Sequence, residues 1–249
     1  MPGKPSAFLP AGAGKDVGRW PASLQKMERA VLALLEAIGD DPKREGLRET
    51  PARVARLYQK VFSGLGEDPR SRFKLFKVAN QDGIVVVKDI AFHSMCEHHL
   101  LPFFGKIHVA YLPRDNYVTG LNSLTRVTEV LSRRPQLQER LTNDIADTLM
   151  DCLRPRGLLV VTEAQHLCMS LSEGGKRGAT AVSSAARGAM LALSMRREAL
   201  LMMNLPAGDR TEPKRTGKYR AVRTRPGVGR KTPRVRSGRV GVSGRTPRA

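Results

Sequence analysis

The apolar residues of this 249-residue chain recur at helical spacing in several separate stretches. The first stretch begins after Ser23, a residue type that caps helices, and ends at Gly39. A second helix is expected to start at Thr50-Pro51, where proline suits the first turn. Further helices are expected near residues 121–132, 136–153 and 190–203. The expected buried stripe of the second helix consists of Val54, Leu57, Val61 and Phe62.

Between these helices, three runs have the composition or alternation that is typical of β-strands. They cover residues 84–87, 106–112 and 158–164. The first leads into the segment around Cys96, and the third leads directly into His166. Each of these two segments therefore follows a predicted strand.

Both ends of the chain lack this apolar pattern. Residues 1–20 are rich in Pro, Gly and Ala and predict a mobile arm, whereas residues 205–249 predict a disordered basic tail. The tail carries 14 Lys and Arg residues against two acids, which accounts for +12 of the formal net charge of +20. Most of the basic charge therefore lies outside the folded domain, which is predicted at residues 21–204. A solubilising role is expected for the tail, and weak, salt-sensitive binding of a polyanion is the alternative.

The chain has three cysteines, Cys96, Cys152 and Cys168. An odd number without a secretory signal favours reduced thiols in the cytoplasm over a disulfide framework. The longest apolar runs are far too short to span a membrane, so no membrane contact is expected. Cys152 falls on an apolar helix face and is expected to be a small buried core residue. The other two thiols are available for metal binding.

Four of the five histidines and two of the thiols lie in the short segments 93–99 and 166–168. Cys96 and His99 are three residues apart, a spacing that lets both side chains reach one ion, and Cys168 could complete the set. Two thiolates and one imidazole leave room for a water molecule, which is the pattern of a catalytic zinc site.

Two further imidazoles, those of His98 and His166, remain beside the candidate ligands. A lone Cys-x-x-His occurs by chance, but histidine is rare in this chain, and its concentration here favours a metal site. Imidazole titrates near neutral pH. His98 and His166 are therefore candidates for the general acid and base.

A series of short motifs, in fixed order along the chain, carries a resemblance to a known family. The motifs are Arg44-Glu45-Gly46-Leu47, Thr50-Pro51-Ala52-Arg53, Ser94-Met95-Cys96-Glu97-His98-His99, Gly105-Lys106, Ala110-Tyr111-Leu112-Pro113, Ser132-Arg133-Arg134, Gln138-Glu139-Arg140-Leu141-Thr142 and His166-Leu167-Cys168-Met169. Over roughly residues 25–202, the chain resembles the GTP cyclohydrolase I family. So many matches at fitting intervals exclude chance.

The resemblance implies an α+β tunnelling fold (T-fold), with an antiparallel sheet packed with helices and an N-terminal helical region. It implies a toroidal homo-oligomer, a decamer in this family, with active sites between subunits. The implied cofactor is Zn2+, and the implied substrate is GTP or a related guanine nucleotide. The implied reaction hydrolyses the guanine imidazole ring, releases formate and forms 7,8-dihydroneopterin triphosphate, the first step of pterin and tetrahydrofolate biosynthesis.

The resemblance also assigns roles residue by residue. A carboxylate suits guanine recognition because the N1–H and N2–H donors of the base would be costly to leave unpaired. The assigned residues are Cys96, His99 and Cys168 as zinc ligands, His98 and His166 for proton transfer, Gln138 and Glu139 for purine recognition, and Arg126 for a phosphate.

The chain departs from the family pattern at two phosphate-binding positions. Ser123 stands where a lysine is expected, and Ser172 where an arginine is expected. Each charge-assisted contact contributes roughly 1.5–3 kcal/mol, so two losses would weaken triphosphate binding strongly. Lys176 and Arg177 could replace the charges, the substrate could be a less phosphorylated guanine nucleotide, or the chain could be a catalytically weak paralog. The complete set of metal and proton-transfer residues argues against the last alternative.

Overall fold

The computed structural model of the chain describes residues 23–171 and 178–204. The predicted arm, residues 1–20, and the predicted tail, residues 205–249, lie outside the described residues. The same is true of Ser172, Lys176 and Arg177, which bear on phosphate binding.

Within the described residues, the five longer helices follow the predicted pattern, whereas the short helix Leu167–Leu171 is not among the predicted elements. The third helix, α3 (Leu121–Ser132), occupies the predicted range, and the fourth, α4 (Gln138–Leu153), starts two residues later than expected. None of the described helices is both long and apolar enough to cross a membrane. The helices are α1 (Leu24–Ala37), α2 (Thr50–Val61), α3 (Leu121–Ser132), α4 (Gln138–Leu153), α5 (Leu167–Leu171) and α6 (Leu193–Asn204), with 3-10 turns at Ser63–Gly66 and Ala189–Leu191.

The described strands form two sheets. The strands are β1 (Leu75–Lys77), β2 (Val85–Cys96), β3 (Pro102–Leu112), β4 (Tyr117–Thr119), β5 (Pro135–Gln136), β6 (Gly157–His166) and β7 (Thr180–Gly188). β1 and β4 make a small antiparallel pair. The main sheet has the order β5-β2-β3-β6-β7 and is antiparallel except where β5 runs parallel to β2. The architecture is therefore α+β, as the resemblance implies.

β2 is much longer than the apolar run that predicts it. Its pairing with β3 shifts register between Val87 and Ile90, where Asp89 adopts a left-handed backbone conformation with φ of 62°. A bulge of this kind bends a strand and lets pairing resume beyond it. Cys96 is therefore the last residue of a continuous strand, and the sheet ladder fixes its position.

Helices cover both faces of the main sheet. On one face, α3 and α4 bury Leu131 and Ile145 in a cluster that includes Val160 of β6. On the other face, Met203 of α6 packs in a second cluster with Leu159 of β6. Neighbouring residues of β6 belong to different clusters because successive side chains of a strand point to opposite faces.

The N-terminal helices α1 and α2 pack against each other and leave much apolar surface open. The predicted cap is confirmed, since Ser23 Oγ accepts a hydrogen bond of 3.2 Å from the Lys26 N–H. The expected burial of Leu57 is wrong, because its side chain is 55% exposed. It faces a cleft of about 970 Å³ that β2 and α3 also border. Leu34 and Ile38 of the α1 region are exposed as well.

Gly105 lies where β3 passes very close to β6. A Cβ atom at this position would lie 1.8 Å from the Glu163 carbonyl oxygen. Gly105→Ala is therefore expected to lower the free energy of unfolding by about 2–3 kcal/mol, because the strands would have to separate. Chemical denaturation measures the effect. Gly83→Ala is the control, since a Cβ there meets nothing within 4 Å; equal losses in both variants would contradict the explanation.

Candidate metal centre and active site

The candidate site lies at one end of the main sheet, where β2 and β6 finish and β3 begins. Cys96 ends β2, and His166 ends β6. β3 runs between them, and its Phe103 is the cross-strand partner of His166. On the far side of β2, Gln136 pairs with Cys96, and the chain then enters α4 at Gln138. Three strand ends and one helix start therefore converge at the site.

The loop between β2 and β3 carries His99 and is held by both backbone and side-chain bonds. The Cys96 N–H donates to the Leu101 carbonyl at 2.9 Å, which closes the loop. Arg140 of α4 donates two hydrogen bonds to the Glu97 carboxylate, one of them 3.0 Å long. The Arg140 guanidinium holds the pKa of Glu97 below its usual range. The loop is thus tied to α4 by a two-pronged ion pair.

The structure brings the three predicted metal ligands together. Cys96 Sγ lies 3.9 Å from His99 Nδ1. The two sulfur atoms of Cys96 and Cys168 and one ring nitrogen of His99 all lie within 4.8 Å of one another. Burial and the neighbouring Cys96 thiol raise the pKa of Cys168. A bound cation would oppose that rise because it stabilises thiolates.

His166 is fixed in place by an aromatic ring and an amide. Its imidazole stacks on Phe103 with ring centroids 4.7 Å apart and planes 2° from parallel. Its Nε2 lies 2.8 Å from Gln138 Oε1. Burial lowers the pKa of His166, and the Glu139 carboxylate acts in the opposite direction. Burial thus favours the neutral imidazole, and the negative charge of Glu139 favours the protonated one.

The contacts of Gln138 determine which nitrogen of His166 carries the proton. Gln138 Nε2 donates to two backbone carbonyls, those of Thr162 and Ala181, each at 3.0 Å. Two carbonyl acceptors require the amide nitrogen at that position, so Oε1 must face His166. Oε1 only accepts, so His166 Nε2 carries the hydrogen and Nδ1 keeps the lone pair. Gln138 is only 2% exposed, and both amide hydrogens are used within the protein.

Glu139 and His98, one acidic and one basic candidate residue, both lie on the surface of the site. Glu139 is exposed, and within the described residues its carboxylate has no hydrogen-bond or ion-pair partner. His98 is also exposed, and its ring meets His99 edge-on, with centroids 6.1 Å apart. Both side chains can therefore reach a bound molecule without breaking an existing bond.

Arg126 lies apart from this cluster. It belongs to α3, where it forms ion pairs with Glu67 and, at 3.5 Å, with Glu129. It lines a separate cleft at the start of that helix together with Ser123. The structure therefore places Arg126 in a different part of the fold from the other seven predicted site residues, which lie at the end of the main sheet. These seven are Cys96, His98, His99, Gln138, Glu139, His166 and Cys168.

Two residues that shape the site carry no local sequence signal. Phe103 stands in a short apolar run, and Thr162 lies inside β6. Phe103 could have been found from a correct β3–β6 alignment, because it is the cross-strand partner of His166. The contact of Thr162 with Gln138 depends on packing between α4 and the sheet.

A chain with an α+β fold that gathers two thiols, three imidazoles and a carboxylate at one end of its sheet has the features of an enzyme with a metal site. Comparison with known proteins agrees with this class. A profile of the GTP cyclohydrolase I family matches residues 27–204. The chain belongs to the GTP cyclohydrolase I family.

Individual relatives support the same assignment. GTP cyclohydrolase 1 of Bacillus subtilis (strain 168) is 55% identical over 164 residues, which is 66% of this chain and 86% of the relative. GTP cyclohydrolase 1 of Desulforamulus reducens is 57% identical over 166 residues, 66% of this chain and 88% of the relative. A crystal structure of an apo archaeosine synthase QueF-Like covers 42% of this chain and 93% of its own, with 19% identity and a TM-score of 0.34. That structural likeness is too low to bear on the fold.

Proposed function

We propose that the chain is a zinc-dependent GTP cyclohydrolase I, which hydrolyses the guanine imidazole ring of GTP, releases formate and forms 7,8-dihydroneopterin triphosphate. The observation that supports it most directly is the meeting of Cys96, His99 and Cys168 within 4.8 Å. Family membership supports a guanine nucleotide as substrate. The proposal includes a cytoplasmic location, because the site needs reduced thiols.

The three ligands fit zinc in type and in spacing. Zinc binds thiolate sulfur at about 2.3 Å and imidazole nitrogen at about 2.0–2.1 Å, so tetrahedral ligands lie roughly 3.5–3.8 Å apart. The 3.9 Å between Cys96 and His99 is close to that range. The largest separation in the group, at most 4.8 Å, needs only a small closure. Magnesium and calcium prefer oxygen ligands, so two thiols favour zinc over either.

The remaining residues of the site would bind the purine and move protons. When bound, zinc would lower the pKa of a coordinated water to about 7 and so supply a nucleophile at neutral pH. The open carboxylate of Glu139 suits the N1–H and N2–H edge of guanine. His166 would exchange a proton at Nδ1, because its Nε2 hydrogen is committed to Gln138. His98 lies beside His99 and provides the second imidazole for proton transfer. It would donate a proton to N7 of guanine as the imidazole ring of the base opens.

We assign the T-fold and a toroidal homodecamer to the chain as part of the same proposal. The exposed apolar side chains Leu34, Ile38 and Leu57 support assembly, since surfaces of this kind are typical of interfaces. Light scattering on the purified protein measures the oligomer size. A stable monomer with full activity would contradict this part of the proposal.

The position of Arg126 suits a site that is shared between subunits. Gln136, the strand partner of Cys96, donates to the Leu131 carbonyl near the C-terminal end of α3. Arg126 lies near the middle of this helix, roughly 7–8 Å along its axis from Leu131 at about 1.5 Å per residue, and its side chain lines the cleft at the N-terminal end. One nucleotide would then contact the thiols of one subunit and Arg126 of another.

The decisive experiment supplies the zinc-loaded protein with GTP and measures formate, together with the fluorescent pterin that forms after oxidation. Formate and pterin in equal amounts are the expected result. GDP, GMP and guanosine are tested in parallel. Absence of both products from GTP would refute the proposal, and turnover of GMP or guanosine instead would favour the less phosphorylated substrate.

A further inference from the structure

A cleft of about 720 Å³ opens at the N-terminal end of α3, away from the thiols. The antiparallel pair β1–β4 brings Lys74 beside the first turn of this helix, since β1 follows Lys74 directly and β4 precedes the helix. Arg72, Lys74, Ser123 and Arg126 all line the cleft. Three cationic side chains therefore surround one cavity, although they come from two separate segments.

The backbone of Lys74 is fixed against position 123. The Lys74 N–H donates to Ser123 Oγ at 3.2 Å, and the Thr119 hydroxyl donates to the Lys74 carbonyl at 2.7 Å. Ser123 itself is only 9% exposed. The serine that stands in place of the family lysine is thus a structural anchor for a segment that carries a lysine of its own.

The cleft carries positive charge that acids do not balance. Arg126 is already paired with Glu67 and Glu129. Arg72 and Lys74 are exposed, and neither has an ion pair with an acid in the part of the chain that the structure describes. The N-cap of α3, Gly120, makes no side-chain capping bond, so the first turn of the helix also presents N–H groups to an anion.

We propose that Arg72 and Lys74 bind the polyphosphate of the nucleotide in this cleft and replace the cation that is missing at position 123. The inference rests on the proposed function for the identity of the nucleotide. It extends that function because the resemblance assigns phosphate contact in this region to Arg126 alone. Arg72 and Lys74, in the segment that Ser123 anchors, supply the positive charge that a lysine at position 123 of α3 would otherwise supply. The chain thereby keeps its preference for a triphosphate over a less phosphorylated nucleotide.

The test measures binding of inorganic tripolyphosphate to the full chain by calorimetry in 0.2 M KCl. At this salt concentration the Debye length is on the order of 7 Å, so weak contacts with the basic tail are screened. The double variant Arg72→Ala/Lys74→Ala is expected to bind at least about tenfold more weakly. Lys77→Ala is the matched control. Its ammonium lies 5.3 Å from the centre of the Tyr117 ring, and it does not line the cleft. Its affinity should stay within about twofold of the parent chain.

The readouts separate this inference from the proposed function. If the chain turns over GTP, the double variant should raise KM for GTP with kcat and zinc content unchanged. If it does not, the tripolyphosphate comparison still decides the question. Unchanged affinity in the double variant, no binding by the parent chain, or an equal loss in Lys77→Ala would each overturn the assignment.

Discussion

Cys168→Ser is expected to strip the protein of zinc and to reduce cyclohydrolase turnover at least about a thousandfold. Serine is a poor zinc ligand, and of the three ligands that the described part of the chain brings together, Cys96 and His99 alone would remain. Without the metal, the attacking water would keep its ordinary high pKa instead of one of about 7. Metal analysis of the purified variant and formate release from GTP measure the two effects.

The chain supplies its own control for this substitution. Cys152 is a half-buried thiol on α4 that is not part of the ligand group, and burial raises its pKa. Cys152→Ser should keep zinc and turnover at the level of the parent chain. Full zinc content and full activity in Cys168→Ser would show that the assigned ligand set is wrong. Loss of zinc from both variants would point to general instability.

Gln138→Leu is expected to lower kcat by about ten- to a hundredfold while KM for GTP changes little. That range is typical when a hydrogen-bond partner of a functional histidine is removed. Leucine cannot accept the Nε2 hydrogen of His166, so both the ring orientation and the tautomer would become variable. The carbonyls of Thr162 and Ala181 would also lose their donor, so thermal stability must be measured alongside.

The split between kcat and KM separates two roles for Gln138. Glu139→Gln serves as the comparison, because its exposed carboxylate is proposed to bind the base, and its loss should raise KM. A Gln138→Leu protein with raised KM and unchanged kcat would indicate purine contact, the role that the resemblance implies. The buried amide contacts favour the positioning role.

The sequence predicts those elements whose pattern is local. α3 combines apolar residues at helical spacing with a polar face, and α1 has a cap at Ser23, so the local pattern predicts both. β7 was not predicted, because Thr180–Gly188 is rich in small residues and does not alternate. That strand forms by pairing with β6, which is a contact distant in sequence. The exposure of Leu57 could not be foreseen either, since spacing identifies an apolar face without identifying what covers it.

The same limit applies to the site. The spacing of Cys96 and His99 predicts that they share an ion, and the structure places them 3.9 Å apart. The role of Gln138 depends on carbonyls 24 and 43 residues further along the chain, so no local pattern could indicate it. No local pattern indicates Arg72 and Lys74, the two cations beside Ser123, for a similar reason. Only the pairing of β1 with β4 brings them to the helix.

β3 lies between β2 and β6, and its place in the sheet has a consequence for biogenesis. Cys96 and Cys168 are 72 positions apart, and they meet only when β3 has paired with both neighbours. During synthesis, before β6 and Cys168 have emerged from the ribosome, Cys96 and His99 would be the two ligands of this group that are available to an ion. Binding of the proposed zinc by all three ligands would therefore be a late event in maturation, in a domain whose sheet has almost completely formed.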